Sequence, residues 1–137
     1  MSGTQTMQDR ATIRQVLKDV ETAWNNCDGY AFARSFVEDG EYRLVWGLKV
    51  QGREAIAQDY RKLFENRYCN SRMEMEIACM RFIRADVAHV ETVNYFHHAE
   101  FPFEKAITSI VVAKENSEWR IVTFNNAGIL PIEKAQD

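Results

Sequence analysis

Four sets of side chains in this sequence could carry chemistry, and the most conspicuous set is the least able to. His89, His97 and His98 fall close together, and imidazole is the side chain whose ordinary pKa lies nearest neutrality. Neighbours on a strand point to opposite faces, so His97 and His98 cannot grip one metal ion from a regular strand. His89 and His97 share a face, but eight residues at about 3.3 Å each separate them by roughly 26 Å. The histidines therefore form no mononuclear metal site, and no metal or organic cofactor is implied. His98, inward by parity at the rim, is the imidazole placed to act as an acid or base.

The carboxylates Glu38, Asp39 and Glu41 cluster at a turn, where charge is normally solvated, and Glu91 lies mid-strand on the outer face, either paired or exposed. Ser35 and Ser109 have no nucleophile-elbow context, and no Gly-rich phosphate cradle is present. The remaining candidates are polar groups of inward parity: Thr92 and Asn94 on one strand, Thr108 on the next, Thr123 and Asn125 on the last. Asn and Thr can orient a ligand or polarise its carbonyl, but they are not general bases near neutral pH. Mutual satisfaction of buried polar groups is the alternative reading. Tyr42 and Tyr60 could donate to a developing oxyanion, with core packing as the alternative for each. Trp46, Tyr60, Phe64, Met73 and Met75 would supply an apolar wall.

These side chains need a frame. Ile13, Val16, Leu17, Val20, Ala23, Trp24 and Cys27 recur at steps of three and four, which predicts an amphipathic helix from Gln8 to about Asn26. Asp28-Gly29 stops it, and Asp28 caps a short second helix in which Phe32 and Phe36 stand one turn apart. Glu41 to Trp46 alternates as a strand; Gly47 and Gly52 bracket a turn; Arg53 to about Arg67 forms a third helix. Strands then run to the end. Met73, Met75, Ile77 and Cys79 share one face of Arg72 to Ile83, and Val87 to His98 follows. Ile107 to Ala113 and Trp119 to Phe124, joined by Glu115-Asn116-Ser117-Glu118, form a hairpin too apolar for a wet edge, so it belongs in the middle of a sheet.

Helices first and antiparallel strands afterwards define an α+β fold, with three helices covering one face of a curved sheet to make a cone. The 137 residues suffice for a single domain, its ordered core about 8–130. The net charge of -3 comes from interleaved acids and bases, so nucleic acid is not an expected partner. No apolar run reaches a membrane span and no h-region opens the chain. Cys27, Cys69 and Cys79 are unpaired by spacing, and free thiols in a reducing cytoplasm are expected.

The AWNNCD helix end, FVEDGEYR, the GREAI entry to the third helix and SEWRIVTFNNAG together resemble the nuclear transport factor 2-like superfamily, in its SnoaL-like branch related to ketosteroid isomerase and polyketide cyclases. The resemblance spans about residues 8 to 130. It implies a cone-shaped α+β barrel, a homodimer built on the outer sheet face, and a ligand pocket between sheet and helices. Ketosteroid isomerase's base, tyrosine and protonated aspartate fall at Leu44, Val20 and about Thr108, so that chemistry is not expected. Asn125 stands where many of these relatives carry a histidine. The expectation is a cytoplasmic homodimer binding a small apolar ligand. As an enzyme it would be an isomerase, cyclase or dehydratase using Tyr42, His98 and Asn125, with Trp46, Tyr60, Phe64, Met75, Asn94, Thr108 and Thr123 as ligand contacts. The other reading is a non-catalytic association module. All of this depends on register, because a slip of one residue exchanges Asn94 for Tyr95 and His98 for His97.

Overall fold

The computed structural model describes residues 3–44, 47–63, 72–97 and 105–129; Trp46, Phe64 and His98 lie outside the described residues. Helix α1 (Gly3–Asn25) buries Ile13, Leu17, Val20, Ala23 and Trp24, the stripe that its three-and-four spacing calls for. It ends in a Schellman-type turn. Cys27 takes a φ of 57°, its N–H donates to the Trp24 carbonyl at 3.0 Å, and the Asp28 N–H donates to the Ala23 carbonyl at 2.9 Å.

Asp28 caps α2 (Gly29–Arg34), its Oδ1 accepting from the Ala31 N–H at 3.0 Å. Gly29 is needed for close approach: a Cβ there would lie 2.7 Å from the Arg61 backbone nitrogen of α3 (Arg53–Leu63). The second helix is shorter than predicted. Ser35 closes it, so Phe36 opens strand β1 (Phe36–Arg43) instead of standing one helical turn beyond Phe32. Arg53, in the GREAI segment, locks α3 to that point, donating from Nε and Nη2 to the Phe36 carbonyl at 3.0 and 2.8 Å.

The short β2 (Lys49–Gln51) returns along β1 as a hairpin. Four long strands follow: β3 (Arg72–Arg84), β4 (Val87–His97), β5 (Lys105–Glu115) and β6 (Glu118–Ile129). The sheet is curved, with the order β2-β1-β6-β5-β4-β3. The apolar hairpin is therefore central, as its composition requires, and its tip is a two-residue turn in which Asn116 and Ser117 both adopt positive φ. One pairing departs from the antiparallel expectation: β1 runs parallel to β6. These two strands come from opposite ends of the chain, and no hairpin turn dictates their relative direction.

Polar side chains of α1 tie the helix layer to the sheet. Asp9, 4% exposed, accepts at Oδ1 from Trp119 Nε1 at 3.0 Å, Gln5 Nε2 at 3.1 Å and Lys114 Nζ at 3.2 Å. Burial alone would raise its pKa; these donors outweigh that and hold the carboxyl below the ordinary range. At the sheet edge, the Asn25 amide donates to the Met73 carbonyl at 3.0 Å and accepts from the Met73 N–H at 2.8 Å, while Glu21 accepts from the Met75 N–H at 2.8 Å. The helix thus occupies backbone groups that an edge strand would otherwise offer to another chain.

The cysteines differ from expectation. Cys79 is free and exposed, but Cys27 is disulfide-bonded, which the spacing of cysteines along a sequence does not show. Among the described residues no helix is long and apolar enough to cross a membrane.

Candidate functional site

On β4 and β5 the alternation read from the sequence holds throughout. Ala88, Val90, Thr92 and Asn94 are buried on one strand, and Ala106, Thr108, Ile110 and Val112 on the other. Thr92 lies directly opposite Thr108, and Thr108 directly opposite Asn126 on β6, which forms a polar row across the inner face. Thr92 donates from Oγ1 to Asn94 Oδ1 at 2.9 Å and is in short contact with Thr108 Oγ1.

On β6 the alternation changes partway. Val112 pairs with Ile121 but Val111 pairs with Thr123, so Val122 is an extra, bulged residue. Beyond it the inward positions are Phe124 and Asn126. Thr123 and Asn125, predicted to face inward, lie opposite the outward Val111 and Ser109, and Asn125 donates from Nδ2 to Thr123 Oγ1 at 3.0 Å on that outer face. Asn126 is the inner asparagine that a regular strand conceals. Its signal was present as spacing: Trp119 and Ile121 are two apart, but the next buried residue, Phe124, comes after three.

Strand β3 behaves in the same way. Met73 is buried and Met75 and Ile77 are half-buried, after which the register shifts between Ile77 and Cys79. Cys79, expected on the buried face, is turned out, and Met80 and Phe82 take the inner positions opposite Val90 and Ala88.

Asn126 donates from Nδ2 to the Arg43 carbonyl at 2.9 Å and is hydrogen-bonded to the Tyr42 phenol, as is Tyr60. Burial pushes the Tyr42 pKa up to about 12, with the hydrogen bonds from Tyr60 and Asn126 opposing the rise. The phenol is therefore neutral at physiological pH, suited to hydrogen bonding and not to proton abstraction. Around it stand aromatic rings: Tyr42 stacks on Phe124 with centroids 5.0 Å apart, meets Tyr60 edge-on at 4.9 Å, and Tyr60 stacks on Phe32 at 4.2 Å. Trp24 adjoins Tyr60 at 5.9 Å and Phe96 at 6.0 Å.

The structure thus brings Tyr42, Tyr60, Thr108, Asn94 and Met75 to the inner side, and leaves Thr123 and Asn125 outside. Val20 and Thr108, where the isomerase pattern would have its tyrosine and aspartate, are both fully buried, and Leu44 is half-buried. His89, Glu91 and His97 occupy the outer face, with His89 Nε2 2.6 Å from Ser109 Oγ and His97 3.6 Å from Glu74. A separate cleft of about 600 Å³ between α1, α2 and the β5–β6 turn is lined by Thr12, Asp19, Arg34, Glu118 and Arg120 and contains none of the residues just placed on the inner face.

A curved sheet whose inner face is roofed by three helices is the cystatin-like, nuclear transport factor 2-like α+β architecture. The chain belongs to the SnoaL-like domain family, whose model matches residues 5–125. It is similar in structure to a cystatin-like domain of unknown function from Nostoc punctiforme PCC 73102, at 24% identity and TM-score 0.87, covering 94% of this chain and 82% of that one. A candidate scytalone dehydratase from Novosphingobium aromaticivorans DSM 12444 is also similar, at 16% identity and TM-score 0.77, covering 94% and 89%. So is a candidate calcium/calmodulin-dependent protein kinase type II association domain from Thiobacillus denitrificans ATCC 25259, at 14% identity and TM-score 0.75, covering 86% and 95%. No curated protein matches. At these identities the likeness speaks for the fold alone.

Proposed function

We propose that this protein binds a small, largely apolar molecule between the inner sheet face and the helices. As an enzyme it would carry out isomerisation, cyclisation or dehydration through a polarised carbonyl. The observation that carries this reading is the run of polar groups, Asn94, Thr92, Thr108, Asn126 and Tyr42, set within an otherwise aromatic and aliphatic interior. A few placed polar groups in an apolar concavity are what small-molecule sites are made of. In this reading Asn126 takes the role expected for Asn125, and His98, Trp46 and Phe64 complete the set from the sequence side. The likeness to a candidate scytalone dehydratase is consistent with such chemistry. A crystal structure of protein as purified tests it: density touching Tyr42, Asn94 or Asn126 is expected, and an interior packed solid by its own side chains would refute it.

A second reading, a non-catalytic association module, is favoured by the outer face. Tyr95 and Ile107 are each 37% exposed there, in neighbouring rows with Val93 and Ala127. In either reading we propose a homodimer through this face. Sedimentation should then show a dimer that Ile107→Lys dissociates; a monomeric wild type would exclude it.

A further inference from the structure

Independently of any ligand in the interior, we infer that the end of the molecule formed by the first half of α1 and the β3–β4 turn docks on the surface of an anionic phospholipid bilayer. The way α1 lies against the sheet builds this end. Asn25, Glu21 and Arg10 contact Met73, Met75 and Met80 of β3 in turn, so the helix runs antiparallel along the strand edge. Met7, Arg10 and Arg14 stand three and four residues apart and share the helix face that follows that edge. Arg10 donates from Nη1 to the Met80 carbonyl at 3.4 Å and lies over the Phe82 ring, 5.2 Å from its centroid. Arg81 precedes Phe82, and Ile83 and Arg84 follow it into the turn. One surface therefore gathers four guanidinium groups around two apolar side chains, Met7 at 72% and Ile83 at 55% exposure.

The charge on this surface is uncompensated. Lys18, Lys49, Lys114 and Arg120 each pair with a carboxylate. Arg14, Arg81 and Arg84 are exposed and form no ion pair or hydrogen bond among the described residues. Asp9 is buried and accepts from Lys114, Glu21 accepts from Lys18 and the Met75 N–H, and the exposed Asp86 and Glu91 pair with none of the four arginines. A nucleic acid or a uniformly acidic chain would answer the arginines and leave Met7 and Ile83 in water. A bilayer answers both. Phosphate oxygens accept from the guanidinium forks, and the apolar side chains enter the boundary between headgroups and acyl chains. The rows of Tyr95 and Ile107, where the dimer would form, lie toward the other end of β4 and β5 from the Arg81–His89 pair, so dimerisation leaves this surface open.

Co-sedimentation with vesicles of phosphatidylcholine and of an equimolar phosphatidylcholine–phosphatidylglycerol mixture tests the inference. Binding to the mixed vesicles alone is expected, and it should weaken as salt is raised. Arg14→Gln and Arg84→Gln should each weaken it about fivefold; both side chains are exposed, so neither change should unfold the protein. Ile83→Ser should weaken it too, a loss that follows from insertion and not from charge attraction alone. Absence of binding, equal binding to the two kinds of vesicle, or undiminished binding by the Arg14→Gln/Arg84→Gln double variant would overturn the inference. Tighter binding to soluble poly-L-glutamate than to the mixed vesicles, or vesicle binding that Ile83→Ser leaves intact, would assign the arginines to an acidic partner in solution and overturn it equally.

Discussion

Strands β4 and β5 keep one alternation from end to end, whereas β6 changes its own at one extra residue, Val122, and β3 shifts register twice, between Ile77 and Cys79 and again between Phe82 and Arg84. The regular pair carries its polar groups, Thr92, Asn94 and Thr108, on the face where simple parity puts them. The bulged pair reverses faces midway, so that Cys79 and Asn125 turn outward and Met80 and Asn126 take the inner positions. One inserted residue in a strand is therefore enough to replace one side-chain set by its neighbour at the site. Bulges next to a concave surface are a common way of re-aiming a side chain, and here the re-aimed group is an asparagine bonded to a buried phenol.

The sharpest way to break this comparison is to exchange weights across the β6 bulge. Phe124→Ala should destabilise by about 3–5 kcal/mol, because a fully buried ring is removed, while Thr123→Ala should stay within about 0.5 kcal/mol. Urea unfolding of the two variants measures it, and the reverse ranking would mean that the strand is regular. A smaller effect is expected where α1 holds the edge of β3 ahead of its bulge. Asn25→Ala leaves the Met73 N–H and carbonyl without their side-chain partner and should cost about 1–3 kcal/mol by the same assay.

Stability against pH tests both ends of the sheet. The folded state raises the Tyr42 pKa from 10.0 to about 12, so its contribution is fully present below pH 10 and disappears as pH rises from there toward 12. Tyr42→Phe should lack that alkaline component. Asp9 has the opposite sign: its pKa is lowered from 3.8, so its contribution is present above that value and lost as pH falls through the folded pKa. Asp9→Asn should flatten the acid limb. The smallest effect is expected at Cys79, which should react with a thiol reagent in the native protein, with Cys79→Ser changing stability by no more than about 0.5 kcal/mol. A slow, protected thiol would put Cys79 back on the buried face.

The helices, the capping aspartate and the central hairpin were legible because each is written in local chemistry: the Ile13-to-Trp24 stripe, Asp28 ahead of Gly29, the polar turn between two β-branched runs. Asn94 and Thr108 were legible because no insertion disturbs their strands. Asn126 was not, because counting by twos from Trp119 continues through Val122 as though it were paired. The change of spacing from two to three, at Ile121 to Phe124 and again at Ile77 to Met80, was the available sign of the two bulges that turn Asn125 and Cys79 outward. The parallel β1–β6 pairing and the Asp9 anchor join residues far apart in sequence, and no local pattern encodes such meetings.

The most direct measurement is the side-chain amide spectrum of ¹⁵N-labelled protein, with the signals of Asn94, Asn125 and Asn126 assigned by substitution, recorded while 1-tetralone is added. An inner-face site predicts that Asn94 and Asn126 shift together and saturate at one concentration while Asn125 stays in place. Movement of Asn125 with Asn94 and Asn126 unmoved would contradict both the bulged register and the site built on it.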